Sequence, residues 1–312
     1  MNIALKDALY KHAMVYLDDI IIYSQTIEEH LIHIDHVITL IAKAGLKIKP
    51  DKCEFVKTEI IYLGHIVSSS GIKPNPKKID AVVNYPAPVN VNQLRTFLGL
   101  LNYYRRFIPN FAKIAHPLTE LTRKDTQWCW ESAQVEAFNA LKLRLTCAPI
   151  LSYPDEKGNF ILQTDASKYG IGAVLAQIQE GEEKVLAYLS KHLVKGQISW
   201  STNEKEFYAI KYAFKKFYHY LHGQFIIIYT DHQPLVNVNP SEEQQGSNLF
   251  RWSFYLSQFN YEIRYRPGKT NQNADALSRI PVTPDSLSIN LISQSGLPSK
   301  PEFINAMINV HI

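Results

Sequence analysis

Short apolar runs separated by polar turns fill the first 73 residues and predict small β-elements around one helix. Residues 14–17 and 20–23 are rich in β-branched and aromatic residues, so we predict two strands of a tight hairpin. The stretch VYLDDIIIYS places Asp18 and Asp19 at its tip. Aspartate pairs occur in ordinary turns and also hold metal ions, so the hairpin alone leaves both interpretations open.

The next segment, TIEEHLIHIDHVITLIAKAG, has apolar residues at alternating spacings of four and three, which is typical of an amphipathic helix. Thr26 and Glu29 form a predicted capping box, and Gly45 is placed to end the helix. Three histidines lack an acidic or cysteine partner at ligand spacing, which favours a solvated face over a metal site: His30, His33 and His36. The predicted buried stripe consists of Ile27, Leu31, Ile34, Ile38 and Ile41.

A basic and aromatic segment follows two predicted hairpins in residues 46–73 and a short helix bracketed by prolines. VNQLRTFLGLLNYYRRFI is predicted to be helical, with an apolar face of Leu94, Phe97, Leu98 and Leu101. Arg105 and Arg106 lie beside Tyr103, and basic residues next to aromatic ones can bind a phosphate backbone and stack on bases. An ordinary solvated helix end is an equally good interpretation.

The pattern changes at residue 159, where three apolar strands precede a long helix at 203–222. A further strand, QFIIIYTD, a helix around 250–258, the strand YEIRYRP and the short helix NADALSR complete one predicted α/β domain. The tail from residue 282 is rich in Ser, Pro and Asn, so we predict a linker or disordered end there.

Carboxylates recur at corresponding places in this domain. Asp165 and Asp231 each follow a threonine at the end of an apolar strand, and neighbouring strands would bring them together. Steps of about 100° per residue place Glu206 on the apolar stripe of the long helix, where a carboxylate is costly unless it is paired or bound to a cation. Glu204 falls on the opposite side and is explained by capping with Ser201. Asp275 begins the last short helix, where capping is its simplest role.

If these four carboxylates converge, they form an oxygen-rich site suited to Mg²⁺. Two such ions about 3.5 to 4 Å apart can activate water and stabilise a leaving oxygen in phosphodiester cleavage. The net charge of +4 permits a polyanionic partner without requiring one. Three scattered cysteines, no signal peptide and no long apolar run predict an intracellular protein, cytoplasmic or nuclear, without a membrane partner.

The chain resembles the Pol polyprotein of gypsy-type long-terminal-repeat retrotransposons, from the late reverse transcriptase palm through ribonuclease H. YLDDIIIYS is similar to the palm metal-binding hairpin, YLGHIVSSSGIKPNP to the primer-grip region, and LRTFLGLLNYYRRFIPNFAKIAHPLTEL to the thumb. LQTDASKYGIGAVLAQ, STNEKEFYAIKYAFKKFYHYL, IYTDHQPL and YRPGKTNQNADALSR are similar to successive ribonuclease H blocks.

The resemblance implies four domains: a partial palm at 1–73, thumb or connection helices at 74–127, a ribonuclease H-like mixed five-stranded sheet with flanking helices at 128–281, and a linker or disordered tail at 282–312. It implies that two Mg²⁺ ions, with Mn²⁺ as the alternative, are held by Asp165, Glu206, Asp231 and Asp275. Asp18 and Asp19 would hold metal in the palm. Lys269 stands where related domains often carry a histidine. Nucleic-acid contacts are expected from Arg105, Arg106, Tyr103, Lys211, Lys215 and Lys269.

The function implied is metal-dependent hydrolysis of the RNA strand of RNA:DNA hybrids, with other Pol domains as partners if the chain is made as a polyprotein. Nucleotide addition also needs an earlier palm strand carrying a third aspartate. We expect that strand to be missing, which would leave an apolar sheet edge beside the hairpin. An inert nucleic-acid-binding protein and part of a full polymerase are the alternatives; the oligomeric state is open.

Overall fold

The computed structural model describes residues 1–155, 158–236 and 247–267 in full and the backbone of a strand at 304–311. The chain divides into two compact units, Met1–Asn75 with the C-terminal strand and a second unit that begins at Pro76. Asp275 and Lys269 lie outside the described residues. Across the described ranges, none of the helices is long and apolar enough to cross a bilayer.

The first unit combines one long helix with short strands. Its elements before the second unit are β1 (Ala13–Tyr16), β2 (Asp19–Ser24), α1 (Ile27–Lys43), β3 (Lys47–Ile48), β4 (Glu54–Lys57), β5 (Glu59–Tyr62), β6 (His65–Ser68) and β7 (Gly71–Pro74).

The second unit begins with helices and continues into a sheet. The helices that open it are α2 (Pro76–Val83), α3 (Val91–Tyr103), α4 (Phe111–Ile114), α5 (His116–Glu120) and α6 (Ser132–Thr146). There follow β8 (Phe160–Ala166), β9 (Gly170–Gln179), β10 (Glu182–His192), α7 (Lys195–Ile198), α8 (Thr202–Lys216), α9 (Tyr218–Leu221), β11 (Phe225–Thr230), α10 (Asn248–Leu256) and β12 (Asn260–Tyr265). A last strand, β13 (Ile304–His311), belongs to the first unit.

The hairpin of the first unit turns one residue earlier than the pattern predicts. Asp19 is the first residue of β2 and pairs with Tyr16, so the turn itself consists of Leu17 and Asp18. Leu17 adopts the left-handed conformation, with φ at 55°. The two aspartates therefore stand at different places, Asp18 in the turn and Asp19 at the start of the strand.

Helix α1 has the predicted ends, but its buried face is rotated. Thr26 Oγ1 accepts a hydrogen bond from the backbone N–H of Glu29, and Gly45 has a φ of 72°. The predicted stripe is wrong at three of its five positions, because Ile27, Leu31 and Ile38 are 49%, 58% and 37% exposed. The residues that α1 buries are His30, Val37 and Ile41.

A histidine cluster replaces the predicted solvated face of α1. Ser24 Oγ lies 3.0 Å from His30 Nδ1 and 2.7 Å from His33 Nδ1. The ring of His12 stacks on His33 with centroids 4.1 Å apart, and His12 Nε2 lies 3.2 Å from His36 Nδ1. These contacts join α1 to β2 and to the residue before β1, which is why a histidine can take a buried position on this helix.

The C-terminal strand completes the sheet of the first unit. β13 pairs antiparallel with β2, and it also pairs with β3 and β4. A linker was predicted for this part of the tail, whereas residues 304–311 form a strand. The physical reason is that the open edge of β2, predicted from the sequence, accepts a strand from the end of the same chain.

The sheet of the second unit confirms the predicted ribonuclease H-like fold class. Its strand order is β10-β9-β8-β11-β12, with β8, β9 and β10 antiparallel and β11 parallel to both β8 and β12. Residues of α8 and α10 form one apolar core with the sheet, including Leu162, Phe207 and Trp252. The long helix predicted at 203–222 is divided, because α8 ends at Lys216 and α9 begins at Tyr218.

Candidate functional site

Two parallel strands bring Asp165 and Asp231 to one edge of the sheet. β8 and β11 pair in a register that places Gln163 opposite Tyr229, and each aspartate follows two residues later. Both aspartates are exposed. The parallel register therefore accounts for the convergence that the two Thr-Asp pairs predicted.

Helix α8 supplies the third carboxylate from the core side. Ser201 and Glu204 form a capping box at its start, as predicted, and this fixes the helix phase. Glu206 is only 4% exposed and shares the buried face of α8 with Ile210 and Ala213. Its Oε1 accepts a hydrogen bond from the backbone N–H of Ala166, at 3.1 Å, directly after Asp165.

The three carboxylates form a compact acidic triad. Asp165, Glu206 and Asp231 each offer one oxygen, and these oxygens all lie within 4.8 Å of one another. No other group of three such ligands occurs within the ranges that the structure describes. The acidic triad is therefore a place where a divalent cation could be held.

The electrostatics of the acidic triad are dominated by burial of Glu206 and by the like charges of its two neighbours. Burial, and then the charges of Asp165 and Asp231, raise the pKa of Glu206 to about 8, although the Ala166 N–H opposes this rise. Glu206 Oε2 is buried and has no hydrogen-bond partner among the described residues. A buried carboxylate oxygen without a partner is costly, and a cation would relieve that cost. The donor set, all carboxylate oxygens, fits Mg²⁺ or Mn²⁺.

One neighbouring contact was missed from the sequence. His232 Nε2 forms a hydrogen bond with Asn203 Oδ1, joining the residue after Asp231 to the first turn of α8. The position of His232 could have indicated this contact, because a residue directly after a strand-end aspartate lies at the same edge of the sheet. This contact ties two elements of the acidic triad together.

The predicted nucleic-acid contacts are dispersed in the second unit. Tyr103 is exposed at the end of α3, and the Arg106 guanidinium lies over the Phe107 ring at 5.8 Å. Arg105 donates hydrogen bonds to the Ser190 carbonyl and to Asn102 Oδ1, so much of its hydrogen-bonding capacity is used within the protein. Burial lowers the pKa of Arg105.

Helix α8 carries the remaining basic positions. Lys211 lies with its Nζ 5.6 Å from the centre of the Tyr255 ring, and Lys215 is exposed. A lysine not singled out from the sequence, Lys191 on β10, lies over Tyr208 and Tyr212 with its Nζ 4.8 and 4.4 Å from their ring centres. The pattern of the strand around Lys191 offered little indication of these contacts.

Comparisons with known proteins agree with this arrangement. Residues 1–67 match the model of a family described as reverse transcriptase (RNA-dependent DNA polymerase). Residues 130–228 match a second model, described as RNase H-like domain found in reverse transcriptase. The second match contains Asp165 and Glu206 of the acidic triad, and Asp231 lies three residues beyond its end.

Named relatives cover nearly the whole chain. It is 46% identical over 283 residues to the retrovirus-related Pol polyprotein from transposon 297 of Drosophila melanogaster, covering 90% of this chain and 26% of the relative. It is 37% identical over 305 residues to the Tf2-3 transposon polyprotein of Schizosaccharomyces pombe, covering 94% and 23%. The chain thus spans about a quarter of the length of these relatives.

A solved structure shares the fold. The foamy viral protease-reverse transcriptase in complex with RNA/DNA hybrid has a TM-score of 0.72 and 23% identity, covering 95% of this chain and 39% of that one. The two family models describe regions of reverse transcriptase, and both relatives are transposon polyproteins. The chain thus carries a reverse transcriptase region and a ribonuclease H-like region, and over nearly its whole length it is similar to the Pol polyproteins of retrotransposons.

Proposed function

We propose that the second unit hydrolyses the RNA strand of RNA:DNA hybrids in a reaction that depends on Mg²⁺, with Mn²⁺ as an alternative ion. Asp165, Glu206 and Asp231 hold the ions, and Asp275 joins them by its place in the family motif. The observation that carries this proposal is the buried Glu206, which has one oxygen without a partner among the described residues and two aspartates beside it.

The chain's own residues prepare the site for cations. The Ala166 N–H fixes one oxygen of Glu206 and leaves the other directed to a further partner. The pKa of Glu206, raised to about 8, means that cation binding near neutral pH is coupled to release of its proton. Asp165 and Asp231 are exposed, so a phosphodiester can approach them from solvent. When bound, paired divalent ions activate water and stabilise the leaving oxygen.

We infer that the substrate is recognised by shape and backbone. Hybrid duplexes differ from DNA in their groove and in their 2′-hydroxyls, and proteins contact them chiefly through phosphate and sugar. The predicted contacts with that backbone are Arg105, Arg106, Tyr103, Lys211, Lys215 and Lys269, of which Lys269 lies outside the described residues. The foamy viral relative in fold was solved with an RNA/DNA hybrid, which supports this choice of substrate. Little sequence preference is expected.

For the first unit we propose that Asp18 and Asp19 hold metal, as in the reverse transcriptase palm that their segment resembles. Nucleotide addition by a polymerase, and association with further Pol domains, are proposals for the longer polyproteins to which the chain is similar. Neither proposal is needed for the nuclease activity proposed for the second unit.

The test is cleavage of an end-labelled RNA in an RNA:DNA hybrid by the purified chain, with Mg²⁺ and with EDTA. Glu206→Gln should abolish Mg²⁺-dependent cleavage. Glu204→Gln is the matched control on the same helix, because a glutamine preserves the capping box, and it should retain the parent rate. Hybrid binding without cleavage by a folded parent chain would refute the nuclease and favour a nucleic-acid-binding protein.

A further inference from the structure

The sheet of the first unit contains a position that is filled by a strand from the far end of the chain. β13 lies between β2 on one side and β3 and β4 on the other. Ile304 pairs with Ser24 and Asn309 with Asp19, so β13 follows β2 along its whole length. On its other side, Met307 pairs with Glu54. We call this position, between β2 and β4, the strand slot.

Without β13 the strand slot would leave much of the unit's central strand unpaired. β2 pairs with β1 along one edge only, and β13 takes the other edge. The middle of β2 is apolar and buried, with Ile20, Ile21 and Ile22 at most 1% exposed. A long apolar strand with unpaired N–H and C=O groups is a template for pairing with another strand. The strand slot therefore has the character of a strand-addition site.

The sequence of β13 suits such a site. INAMINVH has an apolar residue at every second position, namely Ile304, Ala306, Ile308 and Val310. That alternation is typical of a strand with one buried face. The segment also contains no proline, glycine, acidic residue, lysine or arginine. Strand addition takes its affinity from main-chain hydrogen bonds and its specificity from alternate side chains.

We propose that the strand slot is a binding site for an extended, uncharged, alternately apolar segment. Its occupant is the chain's own residues 304–311, held in cis by main-chain pairing, and the same segment supplied as a separate peptide competes for the site. This inference concerns the first unit and does not depend on the nuclease proposed for the second.

Occupancy in cis is tested by register-specific disulfides in the full chain, with Cys53, Cys129 and Cys147 changed to serine. Tyr23→Cys with Asn305→Cys joins directly paired positions. Paired antiparallel residues have Cα atoms about 4.5 to 5.5 Å apart, within the range of a disulfide. The matched control, Tyr23→Cys with Ala306→Cys, is one residue out of register. We expect intramolecular bridging at least about tenfold faster for the paired positions, because strand neighbours point to opposite faces. Equal rates, or bridging only between molecules, would overturn the proposal.

Exchange is tested with a fluorescent peptide of residues 304–312. Ile308→Pro in the full chain removes a backbone donor from β13 and should weaken its hold on the strand slot. We expect this variant to bind the peptide at least about tenfold more tightly than the parent, and a peptide carrying the same proline not to compete.

If Ile308→Pro destabilises the first unit, amide exchange of β2 still tests the strand slot. Protection of β2 that is lost in Ile308→Pro and restored by the peptide supports the strand slot. Protection that the peptide fails to restore, or equal peptide binding by parent and variant, would overturn it.

Discussion

The histidine cluster of the first unit and the acidic triad of the second both gather side chains that repel one another when charged. His12 stacks on His33, and Ser24 Oγ lies within hydrogen-bond distance of His30 and His33. The acidic triad has one backbone hydrogen bond to Glu206 and an oxygen without a partner among the described residues. An imidazole with an ordinary pKa of about 6.5 has released its proton and is neutral at pH 7. A carboxylate is charged at that pH and becomes neutral only by binding a proton.

The difference lies in charge, because His30 Nε2 is also buried without a hydrogen-bond partner among the described residues, but a neutral imidazole needs no counter-charge. Neutral imidazoles both donate and accept, so the histidines and the Ser24 hydroxyl can pair with one another. Ionised carboxylates only accept, so the buried Oε2 of Glu206 needs a donor or a cation from beyond the described residues. A group of titratable residues is thus insufficient to indicate a ligand site. An unmet requirement for a counter-charge indicates one.

The largest expected effect separates the two clusters by activity. Asp165→Asn keeps the size of the side chain and removes its charge, so hybrid cleavage with Mg²⁺ should fall at least about a hundredfold, since even the partners behind metal ligands contribute roughly 10- to 100-fold. His33→Gln should cleave at the parent rate. Single-turnover cleavage measures both, and an equal loss in the two variants would remove the distinction.

The next effect separates the clusters by stability. Ser24→Ala leaves His30 and His33 without their shared hydroxyl, and loss of a buried partner costs about 1–3 kcal/mol. Amide exchange in β2 and α1 should reveal this loss in the first unit. Ser70→Ala, at an exposed position, should change stability by less than about 0.5 kcal/mol. Equal effects of the two substitutions would contradict a structural role for the histidine cluster.

A third effect is a pH dependence of the second unit in EDTA. The folded pKa of Glu206, about 8, lies above its ordinary value of 4.5, so between these values the folded state holds a proton that the unfolded state has released. Stability should therefore fall as pH rises from 4.5 to about 8. Trp128, Trp130, Trp200 and Trp252 all lie in this unit, so urea unfolding followed by tryptophan fluorescence reports it.

Two variants check that assignment. Glu206→Gln should flatten this part of the pH profile, and saturating Mg²⁺ should do the same in the parent by favouring the ionised form. Glu204→Gln should keep the parent slope. A slope that survives in Glu206→Gln would assign the pH dependence to other groups.

The smallest expected effect has the opposite sign and lies in the first unit. Burial, with the charges of His33, His36 and Lys11, lowers the pKa of His12 from 6.5 to about 4. Between these values the unfolded state binds a proton that the folded state does not, so stability should fall as pH drops from 6.5 to 4. Histidine NMR resonances give the midpoint directly, and a His12 midpoint at 6.5 would contradict it.

The second unit could largely be predicted because its patterns are long and regular. Apolar strands ending in Thr-Asp fixed where Asp165 and Asp231 would meet, and helix phase alone placed Glu206 in the core. The position of Asp275 relative to them stays a prediction. Periodicity could not locate the break at Phe217, because this apolar residue fits the helical pattern that runs from α8 into α9.

The first unit was harder to predict because its burial depends on contacts between distant segments. Histidine counts as polar in a hydropathy pattern, so the stripe of α1 was assigned to Ile27 and Leu31 instead of His30. His30 is buried because Ser24 lies beside it. The alternation in INAMINVH was visible, but a surrounding tail rich in Ser, Pro and Asn obscured it, and no local pattern could name β2 as its partner.

The pairing of β13 with β2 sets an order on folding during synthesis. During synthesis β2 leaves the ribosome before the second unit, whereas Ile304, which pairs with Ser24, emerges after that unit. The residues of the second unit's sheet all emerge between these two moments. The second unit can therefore fold while the first unit still lacks β13, and the first unit completes its sheet only after the second unit has emerged.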